Sequence, residues 1–253
     1  MHTIFVTGTA GSGKSTLTSI LLQWYKDHDA FPISLNLDTA VTELPYEPHI
    51  DVRDYVDINE IMIKYNLGPN GSIIIANDIL VNKMQDIQKE VDEYNADYVI
   101  VDTPGQIELF AYRSSGPFFV SNFESENKMN IFLFDGVLAS SAINFVALSL
   151  LATSINLRFQ IPQVNVITKR DLIINDLEKL LNWTNQNNNY LQKSLTEENN
   201  IEFGLLSKDL VNDLYRNGIG QNFVALSNKT MNGITDLSAT ISRILNQGEE
   251  VNY

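Results

Sequence analysis

Apolar and polar positions along the 253-residue chain alternate between two textures. Short apolar runs bounded by turn residues occupy TIFVT (3–7), PISLNL (32–37), DYVIVD (97–102), MNIFLFD (129–135), PQVNVIT (162–168) and NFVAL (222–226). Several are apolar on both parities, the pattern of a strand covered on both faces of its sheet. Stretches with helical spacing follow nearly every run, at 14–28, 72–94, 138–157, 175–194, 205–216 and 233–246. Alternating β and α units predict a predominantly parallel sheet with right-handed crossovers and helices on both faces, a three-layer α/β fold. No fixed-period repeat or convincing linker divides the chain, so one domain over 1–253 is expected, with a helical excursion at about 171–220. Within that excursion the run NQNNN (185–189) reads as a polar loop. Between two helical patterns lies LGPNGS (67–72), whose cluster of turn formers predicts a sharp break.

The most apolar later stretch, residues 138–159, is interrupted by Ser, Thr and Asn, and its uninterrupted runs fall short of the roughly 18 residues of a membrane span. A buried or interface helix is the expectation. The start, MHTIFVTG, lacks a cationic flank and a small-residue cleavage site, so no signal peptide is read there. A net charge of −14 argues against a nonspecific grip on nucleic-acid backbone. With no cysteine, disulfides, thiolate metal sites and thiol nucleophiles are excluded. That composition fits a reducing compartment, and a cytoplasmic location is expected.

The first apolar run leads directly into Gly8-Thr9-Ala10-Gly11-Ser12-Gly13-Lys14-Ser15-Thr16, the pattern G-x-x-x-x-G-K-[ST] between a strand and a helix. Glycines Gly11 and Gly13 let backbone N–H groups, including those of Ser12, Lys14, Ser15 and Thr16, turn onto phosphates. Lys14 would reach β and γ oxygens, and the Ser15 hydroxyl would ligate Mg²⁺. The run at 97–102 ends in Asp102-Thr103-Pro104-Gly105-Gln106. Asp102 is a candidate Mg²⁺ ligand through water, and the Gly105 N–H a candidate γ-phosphate donor. This stretch looks like the switch of GTPases.

Base choice is read from Thr168-Lys169-Arg170-Asp171, the pattern [NT]-K-x-D. The aspartate suits guanine's ring N–H and exocyclic amine, and the lysine stem suits the ring face. Adenine lacks that donor pair. Ser227-Asn228-Lys229-Thr230 resembles a Ser-Ala-Lys loop whose backbone N–H meets guanine's carbonyl, a use to which the Asn228 side chain is indifferent. After the second apolar run, Asp38 is placed to orient or deprotonate water, or to cap a turn. A phosphate-loop ATPase or small-molecule kinase remains the alternative at this point.

Together GTAGSGKST, NLDTA, Gly68-Pro69-Asn70, DTPGQIE and TKRD resemble, in order and across essentially the whole chain, the GPN-loop GTPases, a dimeric class related to signal-recognition GTPases. Where the family has proline after NLD, this chain has Thr39. The resemblance implies a homodimer in which the loop at 68–71 reaches the partner's phosphates, Asn70 donating in trans. It implies roles in water positioning for Asp38 and Gln106, with Glu108 as support or helix cap. Eukaryotic relatives of this kind are associated with RNA polymerase assembly and nuclear import, so a protein client such as a polymerase assembly intermediate is implied.

Overall fold

The structure is a computed structural model that describes residues 1–184, 189–198, 209, 211–213, 215 and 223–246. Its strands are β1 (His2–Gly8), β2 (Pro32–Asn36), β3 (Ile50–Asp51), β4 (Tyr98–Asp102), β5 (Asn127–Asp135), β6 (Gln163–Thr168) and β7 (Phe223–Ala225). They form one sheet in the order β3-β2-β4-β1-β5-β6-β7, with every pairing parallel. The central strand β1 lies between β4, where Val6 is opposite Asp102, and β5, where Gly8 is opposite Leu133.

Helices α1 (Lys14–Asp27) and, near the C-terminus, α10 (Ile234–Leu245) cover one face of the sheet. There Ile4 and Val6 of β1 pack with Leu17, Leu21, Leu237 and Ile241. Phe5, of opposite parity, joins the core on the other face, as a period of two requires. That face is covered by α3 (Pro69–Glu93), α4 (Ile107–Ala111), α5 (Ser115–Asn122) and α7 (Ala142–Phe159). The described helices also include α2 (Ile58–Tyr65), α6 (Gly136–Ala139), α8 (Leu177–Thr184) and α9 (Asn189–Glu198), with a 3-10 turn at Val52–Asp54. The three-layer α/β fold expected from the sequence is the one observed.

The six expected strands are present with ends shifted by at most two residues. The two-residue β3 has no counterpart in the sequence reading, because two residues cannot display a period. The helix expected at 138–157 is two helices, α6 and α7, divided at Ser140 and Ser141, with Ser141 in extended conformation as the N-cap. In α7, Phe145, Val146, Ser149, Ala152, Ile155 and Phe159 are buried against the sheet and its neighbours. By length and composition alone α7 could cross a membrane, yet its buried stripe is part of the core.

The expected helix 175–194 is represented by α8 and α9, and residues 185–188 between them lie outside the described residues. Of the expected helix 205–216, only 209, 211–213 and 215 are described, all helical.

The break expected at LGPNGS is present between α2 and α3, and the second helix starts three residues earlier than the expected 72. Gly68 is the extended N-cap of α3 and Pro69 its first helical residue, so Pro69, Asn70 and Gly71 form a helical turn rather than a projecting loop. The chain reverses just before, at Asn66, whose left-handed φ of 50° ends α2. Proline suits the first helical position because its missing N–H has no acceptor there anyway.

Candidate functional site

The C-terminal ends of parallel strands converge on one edge of the sheet, where open α/β folds bind ligands. This chain places Gly8, Asp38, Asp102, Asp135, Thr168 and Ser227 at or just beyond those ends. After β1 the backbone winds through Gly11 (φ 73°) and Gly13 (φ 95°), both in the left-handed region where a side chain is strained. A Cβ on Gly13 would also come within 2.9 Å of Asn228 Nδ2. The N-terminus of the 14-residue α1 follows, so unpaired N–H groups and the helix dipole favour an anion there.

The buried Lys14 ammonium donates to the Gly8 and Thr9 carbonyls at 3.1 and 3.0 Å and to the Gly105 carbonyl at 3.4 Å. Burial lowers its pKa, while the Asp102, Asp38 and Glu108 carboxylates act in the opposite direction. Lys14 thus already spans both candidate phosphate-binding segments. Ser12 is fully buried with its hydroxyl unpartnered. Thr16 is exposed beside it in the first turn of α1.

The parallel register Val6↔Asp102 sets Asp102 beside the phosphate loop. Burial raises its carboxyl to about 6, against the opposing effect of hydrogen bonding from the Ser15 and Tyr46 hydroxyls and the charge of Lys14. Its Oδ1 meets no partner with good hydrogen-bond geometry, while Oδ2 accepts from Tyr46 Oη at 3.0 Å. A buried carboxylate oxygen in need of a partner, close to a serine hydroxyl, fits Mg²⁺. That ion keeps waters and takes few protein ligands, adding substrate phosphates. Among the described residues no cluster of three or more His, Asp or Glu forms a metal cage. Ser15 and Asp102 would hold the ion, which would supply charge neutralisation at the phosphates.

Asp38 is the most committed of the candidate groups. Its Oδ2 accepts from the Gly105 N–H at 2.9 Å and its Oδ1 from the Ala40 N–H at 2.9 Å. Its own N–H donates to Asn36 Oδ1 at 3.0 Å. Asn36 in turn donates to Asp51, which Arg53 clamps through Nε and Nη2. These hydrogen bonds pull the Asp51 pKa down against the opposing effect of burial. Asp38 is therefore held although Thr39 stands in place of the family's proline. The Gly105 N–H, expected to await a phosphate oxygen, is donated to Asp38 instead. Gln106 is exposed, with its amide 3.5 Å from Asn70 Oδ1 of the same chain. Glu108 lies exposed in the first turn of α4, the position of a helix-dipole partner.

The base-reading candidates also meet. The Thr168 hydroxyl donates to the Ser12 carbonyl at 2.9 Å, tying β6 to the phosphate loop. Lys169 has a left-handed φ of 59°, and its ammonium sits 2.6 Å from Asp135 Oδ2. Asp171 Oδ1 accepts from the Ser227 hydroxyl at 2.6 Å, which holds the carboxyl below its ordinary pKa. Ser227 Oγ accepts in turn from the Lys229 and Thr230 N–H groups, closing the turn after β7. Asn228 is not neutral in its side chain: its amide donates to the Gly13 carbonyl at 3.3 Å, bracing the phosphate loop.

Sequence reasoning missed Tyr46, Asn36, Asp51, Arg53 and Asp135. Their signal lies in pairings across the sheet. Only the Asp-Gly step at 135–136, after a strand, was visible locally.

A family profile described as "Conserved hypothetical ATP binding protein" matches residues 6–247. The chain is 28% identical to GPN-loop GTPase 3 of Eremothecium gossypii, over 97% of this chain and 92% of that protein. With GPN-loop GTPase 1 of Schizosaccharomyces pombe it shares 31% identity, over 98% of this chain and 70% of that protein. The fold matches the crystal structure of an apo-form GTPase from Pyrococcus abyssi with a TM-score of 0.84 and 29% identity, covering 96% and 97% of the two chains.

Proposed function

The chain belongs to the GPN-loop GTPase family, and from that premise we propose that it binds GTP with Mg²⁺ and hydrolyses it to GDP and phosphate. The observation that carries this reading is the meeting of the phosphate loop, Asp102, Gly105 and Asp171 on one sheet edge. In it the N–H groups from Gly11 to Thr16 and the Lys14 ammonium hold the phosphates. Ser15 and Asp102 hold Mg²⁺. Asp171 accepts from guanine, Lys169 covers the ring, and Thr168, Ser227 and Asn228 fix the loops around it.

Once a γ-phosphate oxygen takes the Gly105 N–H, the Asp38 carboxylate is free to orient the attacking water, with Gln106 beside it. The attack forms a bond from water oxygen to the γ-phosphorus and breaks the bond to the β–γ bridging oxygen; the water proton passes to solvent or phosphate.

The same reading has a homodimer acting as a single GTPase domain per chain, in the cytoplasm, as a switch or assembly factor for protein complexes. Asn70 works across the interface. Its exposed position at the start of α3, beside Gln106, supports this reading. A neutral amide donates without the charge of an arginine, which suits sensing of γ-phosphate.

Mixing protomers carrying Asn70→Ala with protomers carrying Lys14→Ala tests this. One complete composite site should restore hydrolysis toward half of the wild-type rate per dimer. No recovery in a fully formed, half-loaded mixed dimer would overturn action in trans. The ATP-binding description of the family profile is the one observation favouring an ATPase, and competition of ATP against GTP for the site decides between them.

A further inference from the structure

The loop joining β2 to β3, residues 37–49, touches the site twice. Asp38 at its start holds Gly105, and Tyr46 near its end holds Asp102. Tyr46 is anchored independently of that contact. Its ring packs against the core on the α1 face of the sheet, and the preceding Pro45 carbonyl accepts from Ser19 of α1.

Asp102 is 1% exposed, so both carboxylate oxygens are withdrawn from water and each needs a partner. Lys14 does not supply one, since its ammonium is spent on three backbone carbonyls. The phenol at 3.0 Å serves Oδ2, and Oδ1, near the Ser15 hydroxyl, meets no partner with good hydrogen-bond geometry. A tyrosine hydroxyl donates one proton to one oxygen and so fixes which face of a carboxylate remains open. Groups that orient a ligating carboxylate contribute strongly to metal affinity without touching the metal.

We propose that Tyr46 is a positioning residue for the divalent cation: its hydroxyl pins Asp102 Oδ2 so that Oδ1 is offered to the Mg²⁺ of the bound nucleotide. This rests on the reading above that Asp102 and Ser15 receive Mg²⁺ with GTP. Because Tyr46 and Asp38 share one loop, capture of the cation and release of Gly105 bear on the same segment of chain.

The test is the Mg²⁺ dependence of the release of a fluorescent GDP analogue. It is measured for wild type, Tyr46→Phe, Asp102→Ala and the double variant, with thermal melts and release in excess chelator alongside. Tyr46→Phe should raise the half-saturating Mg²⁺ concentration about 10–100-fold. Release in chelator should match wild type, and in the Asp102→Ala background the tyrosine change should add nothing. A merely structural tyrosine would instead lower the melting temperature and speed release in chelator.

The proposal is overturned if folded Tyr46→Phe keeps half-saturation within twofold of wild type. It is equally overturned if the shift persists when Asp102 is absent. Failure of the underlying Mg²⁺ reading looks different: wild-type release would ignore Mg²⁺, and Asp102→Ala would match it.

Discussion

In the proposed reaction Asp38 and a γ-phosphate oxygen compete for one donor, the Gly105 N–H that Asp38 now holds. Their charges also repel, so in that proposal the carboxylate opposes the triphosphate before it helps to hydrolyse it. Asp38→Ala should therefore bind a nonhydrolysable GTP analogue more tightly relative to GDP, by about 2–10-fold if one net hydrogen bond is at stake. Turnover should fall in the same variant. Calorimetric titration and single-turnover assays report the two effects, and an unchanged preference between the nucleotides would remove Asp38 from the competition.

Asp171 offers a second test. Its pKa is lowered from 3.8, chiefly by the Ser227 hydroxyl. The contribution of the ionised carboxylate is thus present above 3.8 and is lost only as pH falls through a lower folded value. Ser227→Ala should move that loss upward toward 3.8, followed by NMR titration of the Asp171 carboxyl. At the base edge itself, Asp171→Asn should weaken GTP and improve xanthosine triphosphate, as competition binding would measure.

These groups were legible in the sequence because each motif is contiguous and its chemistry is local. Tyr46 and Arg53 were not, since their meaning depends on β2 lying next to β4 and on a two-residue strand.

The elements that carry the site are constrained at their junctions. β5 passes into α6 at Gly136, where a Cβ would lie 2.3 Å from the Thr168 carbonyl oxygen. Backbone cannot swing aside as a side chain can, so Gly136→Ala must separate α6 from the end of β6. We expect a loss of about 1–3 kcal/mol in denaturant melts. GTP affinity should fall with it, because the displaced segment carries Thr168 and Lys169. Stability lost with affinity intact would show that the base-reading loop does not depend on this packing.

The start of α3 shows why junctions are harder to read than motifs. Gly-Pro-Asn-Gly is turn chemistry, but Gly before Pro is also a good helix start, and composition alone does not separate the two. The apolar residues of α3 settle it: Ile73, Ala76, Leu80, Met84, Ile87 and Val91 keep helical spacing and are buried, which fixes the helix axis up to Pro69. In 138–157 the pattern was apolar nearly throughout, so periodicity could not reveal the break at Ser140 and Ser141.

Across the whole molecule, a charge of −14 faces an anionic ligand. Long-range repulsion should slow nucleotide capture, whereas Lys14 and the α1 N-terminus act only at short range. Raising ionic strength from about 10 to 150 mM shortens the Debye length from about 30 to about 8 Å. Stopped-flow association should accelerate over that range, and a slowing would mean that the site's own cations dominate the approach.

The strand order has a consequence in time as well as in space. β1, with the phosphate loop at its end, pairs with strands whose first partners are Tyr98 and Asn127, and β2 also takes most of its pairing from β4. A ribosome adding about 5–20 residues per second leaves these apolar strands without their sheet for several seconds. The first hundred or so residues thus emerge carrying a nucleotide-binding signature they cannot yet use. Such long-range closure predicts slow folding and a period of aggregation risk during synthesis. Stalled chains ending before Tyr98 should neither protect the β1 amides from hydrogen exchange nor retain GTP, and protection should first appear once β4 and β5 have both left the ribosome.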